Sequence, residues 1–278
     1  MSVSGGCKFF ERMKNLDTAG GDASDTEGQP SAPFVCGRNP FVHWRTQSSD
    51  DTTTEDLEIT FNSASINRII LLDHNFKEFN IKYDVASVWT NFTSVVGING
   101  ATYGSGISET VFAYSSSYYE FAAVTTTKIR VQITKTQTVD DQKRLRQAIV
   151  TKEIGTFSGY PTIEANSDRR KFTKEMLSGR TFVDYSTDNF DGKIKFQNYP
   201  TSYAADVNLL RQLNVLNLPF HIFPCGGRTG STYFKHSIPG FTIDYCPLVL
   251  IKNELSLLYD KNVYINPINL NVDLVDAP

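Results

Sequence analysis

The sequence predicts a mainly β protein: two β-sandwich-like domains behind an extended N-terminal arm, with one helix in the second domain. Three observations carry this. Apolar residues recur at period two in several segments. Gly, Asn, Asp and Pro clusters punctuate those segments at short intervals. Only one stretch holds apolar residues at helical spacing over four turns.

Residues 1–37 read as a flexible or extended arm. The run "LDTAGGDASDTEGQPSAP" is rich in Gly, Ser, Asp and Pro and holds little apolar material to offset ordering entropy. Phe9, Phe10 and Phe34 are its candidate anchors.

Residues 38–160 form the first domain. In "DLEITFN" (56–62), Leu57, Ile59 and Phe61 share a face. Ile69 to Leu72 are continuously apolar, which fits a strand buried on both sides, and Phe79, Ile81 and Tyr83 then alternate with polar residues. Between them lies Asp73-His74-Asn75. Asp and Asn suit turns, and no further ligand stands at metal spacing, so the triplet reads as a turn and not as a metal or catalytic site. "VVGINGATYGSGIS" (95–108) reads as a long loop or hairpin. No GK[ST] follows it, which weakens a phosphate-loop reading. In 118–136, Ile129, Val131 and Ile133 alternate. The basic cluster Lys143, Arg144, Arg146 and Lys152 reads as a solvated loop or short helix, with binding to an acidic surface as the alternative.

Residues 161–278 are again mostly β. Val207, Leu209, Leu210, Leu213 and Leu216 mark a helix near 202–216, capped by Thr201 or Ser202 and stopped by Asn217 and Pro219. Strands are expected over 218–227, 242–259 and 263–277.

Composition removes several function classes. A formal charge of -3 over 278 residues gives no electrostatic case for nucleic acid as the main partner. No apolar run approaches the roughly 20 residues of a membrane helix, so membrane insertion is not expected. The N-terminus shows no secretory pattern, and Ser2 breaks the myristoylation signal. Cys7, Cys36, Cys225 and Cys246 form no CxxC pair, so zinc is not expected and the thiols read as reduced packing residues. His43, His74, His221 and His236 are scattered, and no GxSxG, HExxH or P-loop occurs. The expectation is a non-enzyme with no metal and no cofactor.

"NPFVHWRT", "DLEITFNSASINRIILLDHNFKEFNIKY", "YYEFAAVTTTKIRVQITKT" and "AIVTKEIGTF" together resemble the galactose-binding-like, discoidin-type β-sandwich over about 120 residues. Trp44-Arg45-Thr46, Asn75-Phe76 and Lys128 to Val131 carry the resemblance. It implies ligand binding through loops at one end of the sandwich, with Trp89, Tyr103 and Tyr118 as candidate stacking residues for a sugar. The opposing reading makes Tyr118 core and the other two loop caps or contacts to a neighbour.

"SGRTFVDYS" (178–186), "LPFHIFPCGG" (218–227), "IPGFTIDYCPLVLI" (238–251) and "NPINLNVDLVDA" (266–277) resemble the C-terminal part of bacteriophage tail-associated virion proteins. The end Val275-Asp276-Ala277 departs from the Glu-Val or Glu-Ala pair usual there. This resemblance implies a structural tail or baseplate component, assembled in the host cytoplasm and contacting copies of itself and other virion proteins. The alternatives are a carbohydrate- or receptor-binding module for a host surface glycan, and a capsid or tail decoration protein.

Overall fold

The computed structural model describes residues 6–17, 20–37, 42–97, 102–104, 106–157, 162–168, 171–175, 181–185, 189–196, 204–226, 234–238, 241–246, 248–251, 259–260, 263–264 and 268–274. The strands up to the middle of the chain are β1 (Gly6–Glu11), β2 (Asp22–Asp25), β3 (Trp44–Arg45), β4 (Glu55–His74), β5 (Phe76–Val85), β6 (Val88–Asn91), β7 (Val95–Gly97), β8 (Thr102–Tyr103), β9 (Ile107–Glu109), β10 (Ser117–Thr136), β11 (Arg144–Thr151) and β12 (Glu153–Phe157). There follow β13 (Thr162–Asp168), β14 (Lys171–Glu175), β15 (Thr181–Tyr185), β16 (Asn189–Phe196), α1 (Ala204–Val215), β17 (Phe220–Gly226), β18 (Phe234–Ile238), β19 (Phe241–Tyr245), β20 (Leu248–Ile251), β21 (Tyr259–Asp260), β22 (Val263–Tyr264) and β23 (Ile268–Leu274). The protein is mainly β with one described α-helix, as its periodicities predict, and a short 3-10 helix at Ala32–Cys36. The Asn217 stop holds, and Asn217 adopts positive φ. Leu216, expected on the apolar helix face, is instead 64% exposed.

A ten-stranded sheet in the order β3-β11-β4-β10-β5-β6 builds the sandwich, with β2, β7, β8 and β9 pairing at its margins. β4 and β10 run antiparallel through both layers. Their pairing is regular over 68–71 against 117–120 and again over 55–60 against 128–133, with irregularities between. The irregular middle is where a long strand can bend and pass from one layer to the other. Leu57, Ile59 and Phe61 from one half of β4 meet Ile69 and Leu71 from the other in one core, along with Ile81, Ile129, Val131 and Ile133. Phe76, Phe79 and Ile81 are buried as expected.

The apolar run in β4 is buried on both sides. Ile69 and Leu71 face the sandwich core. Ile70 and Leu72 face a second cluster with Phe10, Met13, Leu16, Tyr118, Ile149 and Cys246. That second cluster corrects the flexible-arm reading of residues 1–37. β1 lies inside a seven-stranded sheet, between β12 and β17, in the order β12-β1-β17-β20-β23-β16-β13. Phe9 and Phe10 are buried, whereas Phe34 is 44% exposed. Each buried Phe contributes roughly 1.5–3 kcal/mol, which composition averaged over the segment conceals.

Polar groups complete the docking. The Asn15 side chain bonds the β11 backbone twice, donating to the Ala148 carbonyl at 2.9 Å and accepting from the Val150 amide at 3.0 Å. Gly21 passes so close to Asn15 that a Cβ there would fall 2.1 Å from the Asn15 carbonyl oxygen, so only glycine fits. The Lys8 ammonium, 1% exposed, pairs with Glu120 at 2.6 Å, and Arg68 pairs with Glu153 beside them. Burial lowers the Lys8 pKa, while Lys8 and Arg68 hold Glu120 below the usual carboxylate range against its own burial.

The basic run at 138–152 is also corrected. From Arg144 onward it is strand β11, pairing β3 and β4, because Leu145, Ala148, Ile149 and Val150 are core residues. Cys36 and Cys246 are free and buried, and burial pushes the Cys36 thiol up to about 12. His221 is a packed core residue whose Nδ1 lies 2.9 Å from the Cys246 carbonyl. His236 and the Cys7 and Cys225 side chains lie outside the described side chains, as do several boundaries of the C-terminal strands.

Candidate binding site at the loop end of the sandwich

The three candidate stacking residues do not converge. Tyr118 is fully buried, packs 6.1 Å from the Phe10 ring and donates its hydroxyl to Glu120 at 2.7 Å. It cannot meet a ligand from solvent, which corrects its candidacy. Tyr103 is partly buried, lies edge-on to Tyr119 and donates its hydroxyl to Glu109. Its ring belongs to the margin of the core. Trp89 lies on β6 opposite Asp84, beside the hairpin formed by Ala86 and Ser87, both at positive φ. The Arg130 guanidinium covers one face of its ring at 4.1 Å. Arg130 is held in turn by Asp56 at 2.9 Å and Glu58 at 2.5 Å.

At the opposite end of β5 the chain builds a different surface. At the Asp-His-Asn triplet, where Asp73 adopts φ 51, the chain passes from β4 into β5, both of them antiparallel to β10. The two strands it joins are not neighbours: β10 lies between β4 and β5. His74 is not an exposed turn residue either, being 3% exposed. Its ring stacks on Phe76 at 4.7 Å and Phe112 at 5.4 Å and meets Phe79 edge-on at 5.6 Å. The Phe76 amide donates to His74 Nδ1 at 3.2 Å, which places the ring proton on Nε2. That Nε2 has no hydrogen-bond partner among the described residues. Burial lowers the pKa of His74 to about 3, so the ring is neutral at pH 7.

This aromatic cluster is the foundation of the loop at 110–116. Phe112 plugs into it, and the Phe112 amide donates to the Lys77 carbonyl at 2.9 Å. The Ser115 carbonyl accepts from the His74 amide at 2.7 Å, and Ser116 Oγ accepts from the Asp73 amide at 3.1 Å. The Tyr114 carbonyl accepts from Gln137 Nε2 at 2.8 Å. The Tyr114 backbone is therefore fixed from both sides, and its ring, edge-on to Phe112 at 5.6 Å, is 39% exposed. Val111 and Val139 stand out at 77% and 71% exposure. Asp140, Asp141 and Gln142 supply polar groups on the loop that Gln137 begins. The result is a partly exposed aromatic ledge, Tyr114, on a loop held by hydrogen bonds. Such a surface can stack one face of a flat apolar ring and bond its rim.

Sequence reasoning missed Tyr114. Its only signal is "FAYSS", an aromatic pair at i, i+2 followed by serines, which does not say which of the two rings points outward. Among the described residues no group of three or more His, Cys, Asp or Glu could hold a metal ion, and no helix is long and apolar enough to cross a membrane.

These features define a mainly β protein built on a sandwich with loops at its ends. No protein-family model matches the chain, and no curated protein matches it. Similar solved structures include chitosan-binding module 1 of a chitosanase/glucanase from Paenibacillus sp. IK-5, at 14% identity over 50% of this chain and 98% of the module, TM-score 0.39. Module 2 of that enzyme, solved with chitotriose, is 17% identical over 49% of this chain and 97% of the module, TM-score 0.37. The module CBM32-3 from a family 31 glycoside hydrolase of Clostridium perfringens is 14% identical over 49% of this chain and 94% of its own, TM-score 0.38. The similarity spans about half of this chain. None of these structures is a phage tail or baseplate protein, and the resemblance drawn from the C-terminal half gains no support from them.

Proposed function

We propose that the chain is a non-catalytic binding protein that holds a carbohydrate at the loop end of the sandwich, with Tyr114 as the stacking residue. One observation carries the proposal: an aromatic ring 39% exposed on a loop whose backbone is pinned to a buried aromatic cluster. A ring presented on fixed backbone loses little freedom on binding, so most of its contact energy reaches the affinity. The discoidin-type resemblance in the sequence implies the same class of ligand at the same kind of surface. Binding of the purified chain to immobilised polysaccharides tests the reading. Tyr114→Ala should weaken binding about tenfold or more, equivalent to ~1.4 kcal/mol, while Trp89→Ala leaves it nearly unchanged. Loss of binding in the Trp89 variant alone would move the site to the Arg130-braced ring.

A second reading, a structural virion component contacting copies of itself and other virion proteins, is supported by a different surface. Val215, Leu216 and Leu218 at the end of α1 are 77%, 64% and 45% exposed, a local apolar run of the kind that marks a partner contact. Sedimentation of wild type against Leu216→Glu tests it. A monomer in both cases removes self-association at this run.

A further inference from the structure

Two arginines face each other across the edge of the sandwich sheet. Arg45 on β3 and Arg144 on β11 are direct partners, next to the buried pair Trp44 and Leu145. Trp44 and Leu145 point into the core, so Arg45 and Arg144 share the opposite, exposed face. Side chains directly opposite on adjacent strands lie about 5 Å apart at Cβ, and like charges there repel. Neither arginine makes an ion pair among the described residues, although Arg68, Arg130 and Arg146 all do.

The surroundings add positive charge. Arg146, 1% exposed, pairs with Asp73 at 2.5 Å. His43, half-buried before β3, has its pKa lowered by burial and by Arg146 and Arg45, partly offset by Asp73, with Arg144 lowering it further. Arg146, Arg45 and Arg144 therefore all lie within electrostatic reach of His43. This concentration occurs in a chain whose formal net charge is -3. Repulsion of this kind is relieved by an anion, and paired guanidinium groups suit planar oxyanions.

The fork is tied to the Tyr114 ledge. Asn75 accepts from the Arg144 amide at 3.0 Å through Oδ1 and donates to the Gln142 carbonyl at 2.7 Å through Nδ2. The Asn75 carbonyl accepts from the Gln137 amide at 2.8 Å, and Gln137 in turn holds the Tyr114 carbonyl. Aromatic ledge and basic fork thus belong to one end of the sandwich and share one backbone frame.

We infer that Arg45 and Arg144 form an oxyanion-binding fork that takes the carboxylate or sulfate groups of an acidic polysaccharide stacked on Tyr114. This rests on the carbohydrate reading of the same loop end, and its test separates the two. Polygalacturonate and its methyl-esterified form share a backbone and differ in charge. At low ionic strength, titration calorimetry of the full chain should show the acidic form bound about tenfold more tightly. The double variant Arg45→Gln/Arg144→Gln should lose that preference while still binding the neutral form. Both positions are exposed and the substitution removes the repulsion between them, so its melting temperature in sulfate-free buffer should equal or exceed that of wild type. Inorganic sulfate gives an independent arm: it should raise the melting temperature of wild type more than that of the double variant. A double variant that keeps the acidic preference overturns the inference, and so does sulfate acting equally on both proteins. If no polysaccharide binds but sulfate still separates the two proteins, the carbohydrate reading fails and the oxyanion fork stands.

Discussion

Acid should loosen this sandwich through His74 before its carboxylates titrate. His74 sits among Phe76, Phe79 and Phe112 with no charged partner among the described residues to compensate a proton, and burial lowers its pKa to about 3. In the unfolded chain its pKa is near 6.5, so as pH falls below that value the unfolded state takes up the proton first. The stabilisation is fully present above about pH 6.5 and is lost progressively as pH falls toward 3. Each unit costs about 1.4 kcal/mol, so moving from pH 6.5 to 5 removes about 2 kcal/mol. That is a sizeable part of the 5–15 kcal/mol typical of a domain. The perturbation that isolates it is His74→Gln, which removes the ionisable ring and leaves a side-chain oxygen that can accept from the Phe76 amide. The variant loses the ring stacking at every pH, so its absolute stability is lower throughout. The informative quantity is the slope. Urea unfolding at pH 7.5, 6.5, 5.5 and 5.0 should show wild type falling by about 2 kcal/mol more than His74→Gln across this window. His43 also has a lowered pKa and contributes in the same direction, but equally in both proteins. Parallel stability curves for the two proteins would refute the reasoning, as would an NMR titration in which His74 protonates near pH 6.5 in the folded state.

Two further outcomes follow from the packing. Phe79→Ala, at a site 1% exposed and in ring contact with His74, Phe76 and Phe112, should cost about 3–5 kcal/mol in urea unfolding. Limited proteolysis of the free chain should leave residues 6–16 and 21–36 intact under conditions that cut exposed loops, because Phe9, Phe10, Asn15 and Cys36 are buried. Early cleavage between residues 8 and 16 would restore the flexible-arm reading.

The sandwich was legible where a face is decided by alternation. Leu57, Ile59 and Phe61, and later Ile129, Val131 and Ile133, announce one buried face each, and both faces are where period two puts them. The continuous run Ile69 to Leu72 announced burial on both sides, and the second side turned out to be Phe10, Met13 and Leu16. The arm itself was misread because average composition hides a short apolar strand. Phe9 and Phe10 take their sheet partners from more than 140 residues away in the chain, at Glu153 to Gly155 and at His221 to Ile222.

The loop end was less legible, because exposure there is set by anchors and not by periodicity. His74 reads as polar, yet the rings around it make it part of the core. Tyr114 and Phe112 are both aromatic, yet only one of them is buried. What separates them is the bond from Gln137 to the Tyr114 carbonyl and the stacking of Phe112 on His74, neither of which leaves a trace in spacing. The basic run around Arg144 shows the same limit from the other side. Its residues were visible as charge, but a charge run does not reveal that Arg144 lies opposite Arg45 while Arg146, two positions on, is buried against Asp73. Pairing across β3 and β11, 99 residues apart at the Arg45 and Arg144 partners, turns a sequence cluster into an uncompensated pair. A site of this kind exists only once the sheet has closed, so its chemistry depends on the same strand register that buries Trp44 and Leu145.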